Sequence, residues 1–233
     1  MLYLFTTGTR TPLLALLALR RPRNLAPIVL GYAALGLVAV IVKDPAAAIL
    51  ALAPSPLVGP ALARLVGARE ETVGALVTGT AVLSLPLLMA AIPGLGPSVN
   101  LALFAFVIGA ALAGSVPLLR DAILPIVDGA RYVALAVILG AAGLATLALV
   151  DPRAVGVAAL VLVVGAASAA IGAVVFGGDG LAAAIGAGTR DPAVAAAFVI
   201  STGLAGAATV PLAYAALLVL SLGVGKLFVA RQA

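Results

Sequence analysis

Uninterrupted apolar runs constrain this chain more than any other feature. Stretches of about twenty residues, almost free of charge, recur from position 24 to position 227. Each is the length needed to cross roughly 30 Å of hydrocarbon at about 1.5 Å per residue. Composition agrees: 64% of the 233 residues are apolar and 9% charged, against about half and a quarter in a soluble domain. The alternation of polar and apolar residues that marks a membrane barrel is missing, so the spans are read as helices, which satisfy their own backbone hydrogen bonds in lipid. The expected fold class is an all-α integral membrane protein.

The chain has no His and no Cys, which removes zinc chemistry, thiol catalysis, disulfides and haem ligation by those residues. The N-terminal MLYLFTTGTRT carries no basic region ahead of an apolar core and no cleavage site, so no signal peptide is expected. A formal charge of +5 could suggest nucleic acid, but the basic residues sit at span ends, where they meet lipid headgroups. No nucleic-acid partner is expected.

Breaks marked by charge, Pro or Gly divide the chain into eight crossings, at 24–42, 45–67, 71–92, 99–117, 132–150, 154–176, 180–201 and 203–227. The segment before them, within 1–23, reads as a helix lying in the interface. Eight crossings put both termini on one side with Arg10, Arg20, Arg21, Arg23, Arg64, Arg69, Arg120, Arg131, Lys226 and Arg231, leaving Lys43 and Arg153 on the other. That asymmetry predicts cytoplasmic termini in a cell (inner) membrane protein.

Sliding the sequence by 136 positions aligns Ala46-Ala47-Ala48-Ile49 with Ala182-Ala183-Ala184-Ile185, and Pro56 with Pro192. The three crossings of 24–92 and the three of 154–228 have matching lengths but begin on opposite sides. This predicts an inverted-topology repeat, the plan of many secondary transporters. The division expected is core repeat 1 at 24–92, panel helices at 99–150 and core repeat 2 at 154–228.

Each repeat interrupts its middle crossing, at Ala53-Pro54-Ser55-Pro56 and at Gly188-Thr189-Arg190-Asp191-Pro192. Proline lacks an amide hydrogen and turns the preceding residue away from helix, so 53–56 and 188–192 are expected to be non-helical and to meet near mid-membrane. An Asp-Pro step is also how an ordinary helix begins after a surface loop. A surface loop there would leave Pro192 to Phe228 as one apolar stretch of 37 residues. At about 55 Å such a helix would be nearly twice the membrane thickness. The chain is therefore expected to turn near Ser201-Thr202-Gly203, which puts Arg190 and Asp191 at mid-depth.

Gly188-Thr189-Arg190-Asp191-Pro192-Ala193-Val194-Ala195 resembles the Gly-x-Arg/Gln-Asn-x-x-Leu-Ala of the bile acid:sodium symporter superfamily. Arg20-Arg21-Pro22-Arg23 before a span, Ala53-Pro54-Ser55-Pro56, Gly67, and the helix carrying Thr78, Thr80 and Ser84 follow that family's order. The resemblance implies crossed, broken helices in a core domain, a panel domain, and sodium-coupled uptake of an organic anion. Two positions that supply sodium ligands in the family fall at Gly59-Pro60 and Gly186, and its Asn is Asp191 here. The coupling ion is thus left open between sodium and a proton.

Charged residues at mid-bilayer oppose insertion by about 2.5–3.5 kcal/mol each, so Arg190 and Asp191 are expected to face a cavity. Asp191 could carry a proton or help bind sodium; Arg190 could attract an anion through its forked donors. Thr80 and Ser84 stand four apart on one helical face and, with Asp191, could supply oxygens to a sodium ion. Hydroxyls bonding back to their own helix are the plainer alternative. Tyr32 and Tyr214 fall inside spans and could line the cavity.

The functional expectation is secondary active transport of a small organic anion by alternating access, with no enzymatic activity and no cofactor. A cation/proton antiporter of related fold is the alternative, with a membrane-embedded enzyme and an assembly subunit behind it. The candidate site comprises Pro54, Ser55, Pro56, Thr78, Thr80, Ser84, Gly188, Thr189, Arg190 and Asp191. The short first half leaves open a homodimer in which one protomer covers the other's core.

Overall fold

A computed structural model of the chain describes residues 20–56, 58–92, 95 and 151–230, with isolated positions between 100 and 133. Residues 1–19 of the interfacial segment expected at 1–23, and all but scattered positions of the panel crossings 99–117 and 132–150, lie outside the described residues; Pro22 and Arg23, expected in that segment, instead open the first long helix, since Pro fits a first helical position.

The described elements are helical throughout. Helix α1 is Pro22–Val42, followed by α2 (Pro45–Leu52), α3 (Gly59–Leu65) and α4 (Glu70–Ala91). After the central segment come α5 (Pro152–Val175), the short α6 (Gly180–Ala183) running into a π turn (Ala184–Gly188), α7 (Pro192–Ser201), a 3-10 turn (Ala205–Ala208) and α8 (Thr209–Ala230). Among the described residues five helices are long and apolar enough to cross a membrane: Pro22–Val42, Glu70–Ala91, Pro152–Val175, Gly180–Ser201 and Gly206–Gly223.

Local chemistry explains the boundaries. Three Asp-Pro steps, at 44–45, 151–152 and 191–192, each start a helix. In each the Asp side chain accepts two backbone N–H groups of the first turn, and Pro occupies the first helical position, where its missing N–H costs nothing. Gly67, Gly177 and Gly203 end α3, α5 and α7 with φ of 74°, 69° and 79°, a left-handed conformation open to glycine. The turn expected at Ser201-Thr202-Gly203 is therefore present.

Helix α1 is apolar all round but buries one face, Ile28, Gly31, Tyr32, Leu35 and Val38. Val29, Leu37, Val40 and Ile41 on the other side are exposed, as suits a helix with one face on protein and one on lipid. The buried face packs on α5, whose inward positions are mainly small: Ala154, Ala158, Gly165, Ala169, Gly172 and Ala173. The two helices run antiparallel. An added Cβ at Gly172 would meet the Ala26 carbonyl oxygen at 3.1 Å, and one at Gly165 would meet Leu35 at 3.2 Å. At one end Arg153 reaches Asp44 at 3.6 Å; at the other, Gly178 lies against the Arg23 carbonyl. Lys43 and Arg153 thus sit at the same end, as the charge pattern requires.

Between α2 and α3 the chain is extended or turning at 53–56, as expected. In the second half the break is narrower than the 188–192 expected. Gly188 still belongs to the π turn, Pro192 already starts α7, and only Thr189, Arg190 and Asp191 are non-helical. Proline restricts the residue before it, so helix returns at Pro192 itself. The wider π turn carries the backbone up to Gly188.

Candidate site at the meeting of two helix breaks

Both breaks are buried and touch. Ser55 is 2% exposed, Thr189 5%, and Arg190 and Asp191 are 0% exposed, which sets the Asp-Pro step apart from an ordinary surface cap. The Asp191 N–H donates to the Pro54 carbonyl at 2.8 Å, and the Ser55 hydroxyl donates to the Thr189 carbonyl at 2.9 Å. Full-length helices supply the remaining partners. Thr80 on α4 accepts the Ser55 N–H at 3.1 Å, and the Tyr32 hydroxyl on α1 donates toward the carbonyls of Ala53 and Thr80 at 3.3 and 3.0 Å. Tyr214 on α8 accepts the Arg190 N–H at 2.8 Å. Unwound backbone this fully buried is shut off from water, so these side chains substitute for the missing helical bonds.

Arg190 and Asp191 divide the electrostatic work. The guanidinium Nε donates to the Ala51 carbonyl at 2.9 Å, in the last turn of α2. Nη1 donates to the carbonyls of Ala187 and Thr189 at 2.7 and 2.8 Å, and to Ser55 Oγ at 3.3 Å. One cation therefore covers the negative C-terminal ends of both inward half-helices. Its Cζ lies over the Tyr32 ring, 4.4 Å from the centroid, a cation–π contact strengthened by exclusion of water. Asp191 acts at the opposite pole, its Oδ1 accepting the N–H groups of Ala193 and Val194 at the positive N-terminus of α7.

Of the residues expected to form the site, Pro54, Ser55, Thr80, Thr189, Arg190 and Asp191 are joined by these bonds. Pro56 follows in the first break and its carbonyl accepts the Gly59 N–H at 2.8 Å. Gly188 closes the π turn against α5, where an added Cβ would fall 2.6 Å from the Ala166 Cα. Thr78 and Ser84 are both buried on α4. Thr80 donates to the Val77 carbonyl at 2.8 Å while accepting from Ser55, and Ser84 donates back to the Ala81 carbonyl at 3.3 Å. Among the described residues there is no group of three or more His, Cys, Asp or Glu side chains placed to hold a metal ion, a pattern that does not bear on a sodium ion held by hydroxyl and carbonyl oxygens. Gly31 and Gly165, which sequence reasoning did not single out, hold α1 and α5 close enough to enclose Arg190 and the π turn.

No protein-family model matches the chain, and none of the curated proteins matches it.

Proposed function

We propose that the chain is a secondary active transporter whose site is the meeting of the two breaks, moving a small organic anion with sodium or protons by alternating access. The observation that carries this is the fully buried Arg190-Asp191 step, placed midway along one broken helix and bonded to the break in the other. Irregular backbone and charge are tolerated at membrane depth only inside protein or beside a cavity, and secondary transporters build their sites from such interrupted helices. A passive packing subunit has no use for a buried Arg-Asp pair whose insertion alone opposes it by several kcal/mol.

The eightfold count and the inverted repeat belong to this proposal, and parallels between the halves support them. Asp44 caps α2 and Asp179 caps α6, the leading segments of the two broken elements. In each break one freed N–H is received by a hydroxyl of the following long helix, Ser55 by Thr80 and Arg190 by Tyr214. Cytoplasmic termini follow from the distribution of Lys and Arg.

One observation favours the second reading, a cation/proton antiporter. Three of the five N–H donors of Arg190 lie on Nε and Nη1, which bond to backbone carbonyls and Ser55, so the bidentate fork usual for a carboxylate is not free. Asp191 would then be the carrier. Uptake into proteoliposomes, measured for a panel of carboxylates and of monovalent cations under imposed sodium and pH gradients, tests both. Gradient-driven movement of a carboxylate supports the first reading and cation–proton exchange the second. A folded protein that moves neither contradicts transport.

A further inference from the structure

Four oxygen atoms converge on one side of the Arg190 side chain. The carbonyls of Ala187 and Thr189 and the Ser55 hydroxyl lie 2.7, 2.8 and 3.3 Å from Nη1, and the Ala51 carbonyl lies 2.9 Å from Nε. The three carbonyls belong to the last turn of α2, to the π turn and to the residue after it, the negative ends of the two half-helices. In secondary transporters, unwound carbonyls and half-helix ends of this kind hold the coupled cation. The far amine is treated differently. Nη2, equally enclosed, has no hydrogen-bond partner among the described residues, although buried donors are almost always paired. A site shaped for a whole guanidinium would supply that partner, whereas one shaped for a compact cation needs only the oxygens around Nη1. Packing admits nothing beside the side chain: a Cβ at Gly31 would stand 3.7 Å from Nη2 and 3.3 Å from the Ala187 carbonyl oxygen. The site is therefore full, and its occupant is Nη1 itself.

Resting on the transporter reading above, we propose that these oxygens form a monovalent-cation site and that Arg190 fills it as a tethered cation, so that no exchangeable ion sits between the half-helix ends. Carbonyl oxygens can take the place of an ion's hydration shell, and the Tyr32 ring, 4.4 Å from Cζ, turns an electron-rich face to the same cation. Among the buried described residues Arg190 and Asp191 are the charged ones, so the tethered charge balances Asp191 without a bound ion. An exchangeable ion would leave the half-helix ends uncovered each time it was released; a tethered one covers them throughout. A coupling ion, sodium or proton, then acts at Asp191, on the opposite pole of the step. Truncating the arginine should turn the filled site into an open one. Arg190→Ala keeps the four oxygens, opens the space that the side chain took, and leaves the charge of Asp191 for a mobile cation to balance.

The test uses the full chain in lipid nanodiscs, with sodium chloride and potassium chloride as probes and N-methylglucamine chloride as the bulky comparator, at constant ionic strength. Arg190→Ala is expected to melt below the unaltered chain in N-methylglucamine. In sodium or potassium it is expected to regain about 3–6 °C, saturably, at about ten times the dissociation constant, a gain larger than any the unaltered chain shows. No gain in the folded variant overturns the site, and so does an equal gain in both chains, the result if the ion acts elsewhere. Should Arg190→Ala fail to fold, Arg190→Lys and Arg190→Gln give an independent reading. Lysine carries an ammonium with three donors for the oxygens around Nη1, while glutamine offers donors without charge. The lysine variant is expected to melt above the glutamine variant. A glutamine variant as stable as the lysine one, or a lysine variant that does not fold, overturns the tethered cation. Cation-dependent stability in Arg190→Ala with no flux of any solute by the unaltered chain would uphold the site and sink the transporter reading; flux without that stability would do the reverse.

Discussion

The Ser55 hydroxyl donates to the Thr189 carbonyl at 2.9 Å across 134 residues of sequence, tying one helix break to the other. The same oxygen accepts from Arg190 Nη1 at 3.3 Å, so Ser55 is both a tie between the breaks and a support for the buried cation.

Replacing Ser55 by Ala removes that donor and acceptor while leaving the Pro54–Asp191 backbone bond in place. A buried hydrogen bond to a charged group contributes about 1.5–3 kcal/mol. At about 2–4 °C per kcal/mol for a chain of this size, thermal denaturation in detergent should show the midpoint falling by several degrees. An unchanged midpoint would mean that the two breaks are held together without Ser55.

The two tyrosines should separate in a matched pair of variants. Tyr214→Phe strands the buried Arg190 N–H, which cost of about 1–3 kcal/mol is that of an unsatisfied buried donor. Tyr32→Phe gives up two bonds to carbonyls but keeps a ring under the guanidinium. Melting temperatures should fall in both, and a Tyr32→Leu variant, which removes the ring as well, should fall further than Tyr32→Phe. Equal losses for Tyr32→Phe and Tyr32→Leu would show that the cation–π contact adds nothing.

Close packing of α5 on the π turn makes two glycines intolerant. An alanine Cβ at Gly165 would collide with the Gly188 carbonyl, and one at Gly188 would come within 2.6 Å of the Ala166 Cα. Backbone cannot yield as a flexible side chain does, so either substitution should destabilise by about 1–3 kcal/mol or more. Gly36→Ala serves as the neutral control. Size-exclusion profiles and melting curves of the three variants would check this, and normal stability of Gly165→Ala would contradict the packing.

Much of this arrangement was legible because its signals are local. Asp-Pro steps, tandem prolines and a charge pair inside an apolar run act on the residues beside them, and breaks were expected at 53–56 and 188–192, of which 53–56 and 189–191 are non-helical. What escaped depends on contacts between distant segments. The partners of Arg190 are mainly carbonyl oxygens of Ala51, Ala187 and Thr189, groups every residue possesses and no sequence pattern marks. A structural role for Arg190 was weighed beside attraction of an anion, but not that its Nε and Nη1 donors would hold half-helix ends together. Gly31 and Gly165 are two among 26 glycines, distinguished only by what stands opposite them. Gly188 and Pro192 were both expected in the break, but a π turn extends to the one and α7 starts at the other.

In the transporter proposed above, Asp191 at the meeting of the breaks couples substrate movement to an ion. The most direct measurement is initial uptake into proteoliposomes driven separately by a pH gradient and by a sodium gradient, for the unaltered chain and for Asp191→Asn. Asparagine is as good a helix N-cap as aspartate, so the start of α7 should survive while the titratable charge is lost. The expected result is gradient-driven uptake by the unaltered chain and, where the pH gradient drives it, loss of that component in Asp191→Asn at normal thermal stability. Undiminished pH-driven uptake in Asp191→Asn would contradict the role of Asp191, and no gradient-driven uptake by the folded, unaltered chain would contradict the transport site itself.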